Sequence, residues 1–332
     1  MNIILKHNIE GINDFIKVFQ SNTILKKADI KWLFDTKSYE KLLNLFGQNI
    51  GLTKKEEWID LFYEAYILNL NSEGCVEKDT LRKNIIEPVI WAISNVDKLL
   101  NYTEEIMNFI DKKTYINRAL RYLPKIEGNI ELNFYYYIFM YNACVEENIV
   151  LLDLPFAKKI NEVQLTALLA HEMHHYLKDY LNLSEYSKNA FNDVTLTLWA
   201  LENEGIADMC SFESLWAIYE EFGWTDKGLI TEILENTAKY ISDFNDKMQR
   251  KIINEDDSIN LYEFIMQNQI IHPLGYKMAK TIERDFGIEE LKRCVGKPLE
   301  FILKFNQAYE LENGIYAFDE NLIERLISIY NS

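Results

Sequence analysis

The 332-residue chain is poor in the residues that interrupt or staple a fold: 12 glycines, 5 prolines and 4 cysteines. No stretch is rich in serine, glycine or proline, so flexible linkers and low-complexity tails are excluded. Cys75, Cys144, Cys210 and Cys294 stand far apart with no Cys-x-x-Cys pair. That spacing excludes a disulfide scaffold and reads as reduced, mostly buried thiols. The longest apolar run, FYYYIFMY at 134–141, is too short and too rich in tyrosine to span a bilayer. The N-terminal apolar run meets His7, Asn8 and Glu10 before a secretory core can form, so no signal peptide is expected and a cytoplasmic setting fits best. Basic residues are outnumbered, with Lys+Arg 35 against Asp+Glu 52 and a net charge of −17 spread along the chain. Such a surface repels phosphate backbones and anionic lipid, which argues against nucleic acid and membrane partners. No P-loop, G-x-G-x-x-G or nucleophile elbow is present.

What is present is apolar and aromatic: hydrophobic residues make up 48% of the chain and aromatics 13%. This suffices for a large core in one compact body or two close lobes. From Phe15 to about Tyr122 the apolar residues recur at helical spacing, as in EEWIDLFYEAYILNL, and predict a helical region over 1–125. After Pro124, ELNFYYYIFMYNA and NIVLLDLP are short and β-prone. They predict two antiparallel strands separated by CVEE, with the Phe and Tyr run in the sheet core. Helical spacing returns at Asn161, a plausible cap, with an apolar face of Val163, Ala167, Leu168, Tyr176 and Leu177. A polar stretch, NLSEYSKNAFND, leads to one long helical pattern that stops at Gly223, and the remainder is again helical. The expected class is α+β, mainly α, divided as 1–125, 126–221 and 222–332.

Histidine is scarce, yet three of the five sit in HEMHH. His171, Glu172 and His175 make the H-E-x-x-H arrangement. On a helix, residues four apart lie one turn up the same face, so both imidazoles can converge on one ion. Glu172 is turned about 100 degrees around the axis and points beside the metal, where a general base for the attacking water belongs. His174 has the wrong offset to join the pair and reads as a flanking residue. The plain alternative is a solvated or satisfied histidine face, which the scarcity of histidine makes a poor account of two at this offset with the glutamate in place.

Zinc needs a third protein ligand. YLKDYLNL follows His175 without the glycine and histidine of a metzincin, and His7 and His272 are remote in sequence. Glu204 and Asp208 in ALENEGIADMC are four apart and share a face, so one carboxylate can bind the metal while the other holds a ligand imidazole, His171 being the expected one. Glu202 competes but faces another side of its helix. Asn203, Glu204 and Asp208 in NEGIAD resemble the N-E-x-x-x-D pattern that follows H-E-x-x-H in gluzincins, the thermolysin-like clan of zinc peptidases. The chain also resembles uncharacterised bacterial zinc-dependent peptidases that carry H-E-x-H-H and a later E-G-I-A-D. The resemblance spans residues 134 to 210. It implies a zincin-like core with a short sheet and helical lobes on both sides, Zn²⁺ held by His171, His175 and Glu204, and Asp208 behind a ligand.

Further expectations follow from the same resemblance. Gluzincins line substrate along an edge strand ending in Asn-Ala, and Asn142 and Ala143 stand in a similar place. They also supply a Tyr or His to the oxyanion from the C-terminal part, for which His272 and Tyr276 are the candidates, a turn at Pro273 and Gly275 leaving both at a cleft edge. Departures are the long segment between the two helices, the absence of a dense aspartate cluster for calcium, and terminal thirds without a counterpart. The function implied is zinc-dependent peptide-bond hydrolysis by a metal-activated water, with a peptide or protein as substrate. Two alternatives stay open: another metal-dependent amide hydrolase, and a non-catalytic zinc-binding scaffold, against which the presence of Glu172 argues. Oligomeric state is not legible.

Overall fold

A computed structural model describes residues 2–21, 23–47, 50–73, 75, 79–181, 193–314 and 316–331. Its elements in chain order are β1 (Asn2–Asn8), α1 (Glu10–Phe19), α2 (Lys27–Phe34), α3 (Lys37–Phe46), α4 (Lys55–Leu70), α5 (Thr80–Ser94), α6 (Leu99–Ile110), α7 (Thr114–Leu120), β2 (Asn129–Tyr137), β3 (Ala143–Glu146) and β4 (Ile149–Asp153). There follow α8 (Leu154–Lys159), α9 (Glu162–Tyr180), α10 (Asp193–Asp208), α11 (Phe212–Glu221), α12 (Leu229–Glu235), α13 (Thr237–Met248), α14 (Leu261–Gln267), α15 (Ile271–Phe286), α16 (Ile288–Arg293), α17 (Pro298–Asn313) and α18 (Glu320–Asn331). The fold is α+β and mainly α, as expected. Two compact units divide the chain: Met1–Thr114 with Glu127–Glu172, and Tyr115–Ile126 with Met173–Ser332. The division falls within α9, so that helix contributes residues to both.

In the first unit one sheet runs in the order β1-β2-β4-β3. β2 pairs in parallel with β4, not antiparallel, from Asn133 opposite Ile149 to Tyr137 opposite Asp153. The short antiparallel partner of β4 is β3, whose Cys144, Val145 and Glu146 belong to the CVEE expected as a separator. Asn148 and Glu147, both at positive φ, close that hairpin in two residues, which leaves no room for the longer antiparallel return that the sequence suggested. β1 was not expected as a strand at all. Its seven residues alternate only between exposed and half-buried, so its apolar signal is weak, and it is held by parallel pairing with β2 more than 120 positions away. The Phe and Tyr run is core, as expected: Phe134, Tyr136, Tyr137 and Phe139 are buried. Tyr137 donates to the carbonyl of Ser38 at 3.1 Å, and Tyr39 to that of Ile138 at 2.9 Å, tying the helical region to the end of β2. Phe34, Tyr39 and Phe62 meet edge to face around that point.

Asp153 ends β4 and starts α8: its two carboxylate oxygens accept from the amides of Phe139 (2.8 Å) and Phe156 (2.9 Å). Burial pushes its carboxyl well above the usual range, against the pull of those amides. Two residues beyond α8, Asn161 caps α9 by accepting from Val163 and Gln164, while Gln164 accepts from the Asn161 amide in return. The predicted apolar face of α9 is buried except at Val163, which is 61% exposed in the first turn.

In the second unit α10 is buried on almost every side. The long helix predicted from 194 to 223 is two helices. After Asp208 the amides of Met209, Cys210 and Ser211 reach back three residues instead of four, tightening and ending the turn before α11 begins. α10 crosses α15 at two glycines. A β-carbon built on Gly205 would lie 2.3 Å from the carbonyl carbon of Gly275, and one on Gly275 would lie 2.5 Å from the carbonyl oxygen of Leu201. Backbone meets backbone there, which no other residue pair permits. The predicted turn at Pro273 and Gly275 is instead the start of α15, where proline costs nothing because first-turn amides have no helical partner. Residues 182–192, most of the polar stretch NLSEYSKNAFND, lie outside the described residues.

Candidate metal centre

α9 carries His171 and His175 one turn apart, and α10 carries Glu204 and Asp208 one turn apart. One donor atom from each of His171, His175 and Glu204 falls within 4.8 Å of the other two. Nε2 of His175 is 3.3 Å from Oε2 of Glu204. Two ligands bound at roughly 2.0–2.1 Å at the tetrahedral angle are about 3.3 Å apart, so this pair already has the spacing of one edge of a zinc site. Two imidazoles and a carboxylate are also the donor types of an open catalytic zinc site, in which a fourth position is left for water or substrate. The residues therefore fit a zinc ion. Glu172, next to His171 on α9, is buried, and its charge reaches Cys144 on β3. Burial first, then Glu172 and Glu146, push the Cys144 thiol up.

The glycine crossing brings a third histidine to the same place. His272 lies in the first turn of α15, and its Nδ1 is 2.9 Å from Oδ2 of Asp208 and 4.0 Å from Oε2 of Glu204. Asp208 is fully buried. Its contact with His272 adds to the expectation that it stands behind His171, and sequence spacing could not show that contact because 64 residues intervene. The ring of His272 stands 4.9 Å from that of Tyr219. It also lines an apolar cleft of roughly 230 Å³ with Trp224, Ile230, Ile265, Met266 and Pro273.

Tyr276, one turn further along α15, is placed differently. Its ring stacks on Phe212 at 3.4 Å in a neighbouring hollow with Arg118, Tyr122 and Lys280. Burial, and then Glu213, Glu283 and Asp208, raise its phenol above the ordinary value. Asn142 and Ala143 stand at the start of β3, the last strand in the sheet order: the Asn142 carbonyl accepts from Asp153, and Ala143 pairs with Leu152. His7 is engaged elsewhere, its ring nitrogens 2.7 Å from the Tyr136 hydroxyl and 3.2 Å from Asp111. His174 is fully buried beside His175, consistent with a flanking position.

Two groups near Glu204 escaped the sequence reading. Tyr262 on α14 is half-buried, and burial followed by the Glu204 charge raises its phenol. A tyrosine among twenty carries no signal of its own. The second is Lys178, three residues past His175, which is buried against α10. Its offset from His175 on the same helix was the available clue.

A family model described as "Putative zinc dependent peptidase (DUF5700)" matches residues 30–314. The chain belongs to that family. The match takes in the whole of α9, α10 and α15, and with them every residue of the cluster. No curated protein and no solved structure gives a match. Zinc dependence, as the family's description states it, agrees with the donor set of His171, His175 and Glu204. No described helix is long and apolar enough to cross a membrane.

Proposed function

We propose that this chain is a gluzincin-type zinc peptidase that hydrolyses peptide bonds. The observation that carries the reading is the meeting of His171, His175 and Glu204, from two helices, with donor atoms within 4.8 Å and an edge of 3.3 Å between two of them. Zinc held by these three would polarise a substrate carbonyl and acidify water beside it. Glu172 is the general base: it takes the proton of the attacking water and returns it to the leaving amine. His272 is the donor to the developing oxyanion: Asp208 accepts from its Nδ1–H, and the Nε2–H of the imidazolium is the one left to donate. The position of His272 at 4.0 Å from Glu204 favours it over Tyr276, whose ring is committed to Phe212. The outer edge of β3, beginning at Asn142 and Ala143, is where an extended substrate would add as a further strand, and Cys144 on that strand lies within the field of Glu172. The apolar cleft beside His272 offers room for a substrate side chain.

Metal analysis together with a peptide-library digest tests the reading. Wild-type protein should carry one zinc per chain and cleave peptides, Glu204→Ala should lose the metal, and Glu172→Gln should keep the metal and lose cleavage. Equal turnover by wild type and Glu172→Gln, or zinc retained by Glu204→Ala, would remove the proposal.

A further inference from the structure

Lys178 is among the largest fully buried side chains, a placement that an ammonium group normally avoids. Its side chain is 2% exposed and that of its partner Glu202 is 0%. Nζ donates to Oε2 of Glu202 at 2.7 Å and to Oδ1 of Asn203 at 3.0 Å. The other oxygen of Glu202 accepts from the Gly296 amide at 3.0 Å, so the carboxylate is anchored at both ends. An ion pair of this kind costs desolvation on both sides and is weak evidence for stability alone. Its geometry points to another use.

The reason lies in what each group can donate or accept. An ammonium only donates, so the Asn203 atom facing it must be the carbonyl oxygen. The amide is thereby fixed in one of its two orientations, and Nδ2 is left to face Oε1 of Glu204 at 2.9 Å. Oε1 is then engaged by Asn203, and Oε2 is the oxygen turned toward the ligand pair, 3.3 Å from His175 Nε2. An unheld asparagine could turn its carbonyl toward Glu204 and repel it. The buried charge also polarises the amide, which strengthens the N–H that Glu204 receives.

Resting on the zinc reading above, we infer that Lys178 is a positioning residue for the metal site, acting through Asn203 to select which oxygen of Glu204 becomes the ligand, with Glu202 balancing its charge. Partners that orient a metal ligand in this way are generally worth about 10–100-fold in metal affinity.

Lys178→Met alone would leave Glu202 buried with no countercharge and can fail to fold, so two other variants carry the test. Lys178→Met/Glu202→Gln removes both charges and retains an acceptor for the Gly296 amide. Asn203→Leu keeps the ion pair and deletes the relay. Zinc dissociation constants are measured by competition with a chromophoric chelator, beside thermal melts of metal-free and zinc-loaded protein. Both variants are expected to bind zinc at least about tenfold more weakly than wild type, with a smaller zinc-induced rise in melting temperature. A purely structural ion pair would instead lower the metal-free melting temperature and leave zinc affinity alone. Zinc affinity within twofold of wild type in both folded variants overturns the inference while leaving the metal site intact. A wild-type chain that takes up no zinc ends both readings together.

Discussion

Replacing Gly205 by alanine adds one methyl group where α10 crosses α15, and two opposing effects compete. Alanine is a better helix former than glycine by about 1 kcal/mol, so at an open helical position the change would stabilise. Here the new carbon would lie 2.3 Å from the carbonyl carbon of Gly275, 2.4 Å from its oxygen and 2.7 Å from its α-carbon. All three are backbone atoms that cannot rotate away, and an ordinary contact needs roughly 1 Å more, so the helices must part. Overpacking of a well-filled core costs typically about 1–3 kcal/mol, and separating two helices along their crossing belongs at or above the upper end. The clash therefore outweighs the propensity gain, leaving a net loss of about 2 kcal/mol. For a unit of this size that is a fall of roughly 4–8 °C in melting temperature. The same displacement moves His272 away from Asp208 and Glu204, so turnover should fall by more than the stability loss explains. Differential scanning calorimetry and peptide hydrolysis on the purified variant give the two numbers. A Gly205→Ala protein that melts at or above the wild-type temperature, with full activity, would refute the reasoning from the crossing.

Further outcomes are expected from the same geometry. Glu172→Gln should retain zinc and lower kcat by about 10²–10⁴-fold, as read from steady-state hydrolysis with parallel metal analysis. His272→Phe, which keeps an aromatic ring against Tyr219 but removes the donor, should lower kcat by about 10²–10³-fold with a smaller change in KM. Lys178→Met should destabilise the fold by about 3–5 kcal/mol in urea titrations, because Glu202 is left buried without its ion-pair partner, and adding Glu202→Gln should recover most of that loss. Burial first, and then the neighbouring Glu202, push the Cys294 thiol up to about 12. Only the thiolate reacts, and at pH 8 its fraction would be about 10⁻⁴, so Cys294 should resist alkylation in the native state and react at once in denaturant. Raising the pH increases that thiolate fraction tenfold per unit, which mass spectrometry after timed labelling would follow.

Local chemistry was readable where a short segment carried its own reason. Asn161 announced the start of α9 because a helix cap acts on amides only two or three residues ahead, and Gln164 completes the box in the structure. The facing of His171 and His175 follows from helical pitch, and the FYYYIFMY run could only be core. The partners of these segments were less legible. β1 has too weak an alternation to declare itself, and parallel pairing between β2 and β4 depends on a crossover through β3 that no local pattern encodes. The turn read into HPLG failed because proline is equally at home in a loop and in the first turn of a helix. The division of residues 194–223 into two helices rests on three-residue back-bonds at Met209, Cys210 and Ser211, where no glycine or proline marks the break.

By itself the sequence determined the helical character of the chain, the presence of a small sheet, and the one turn of α9 on which two imidazoles and a glutamate must lie. Those are consequences of pitch, alternation and capping, all of which act over a few residues. Only the tertiary structure decided that Glu204 stands 3.3 Å from His175, that Asp208 meets His272, and that Lys178 reaches Asn203. These contacts join helices distant along the chain, and they exist because two glycines, seventy positions apart, let α10 and α15 touch at their backbones, and because a buried ammonium requires partners that only a neighbouring helix can supply.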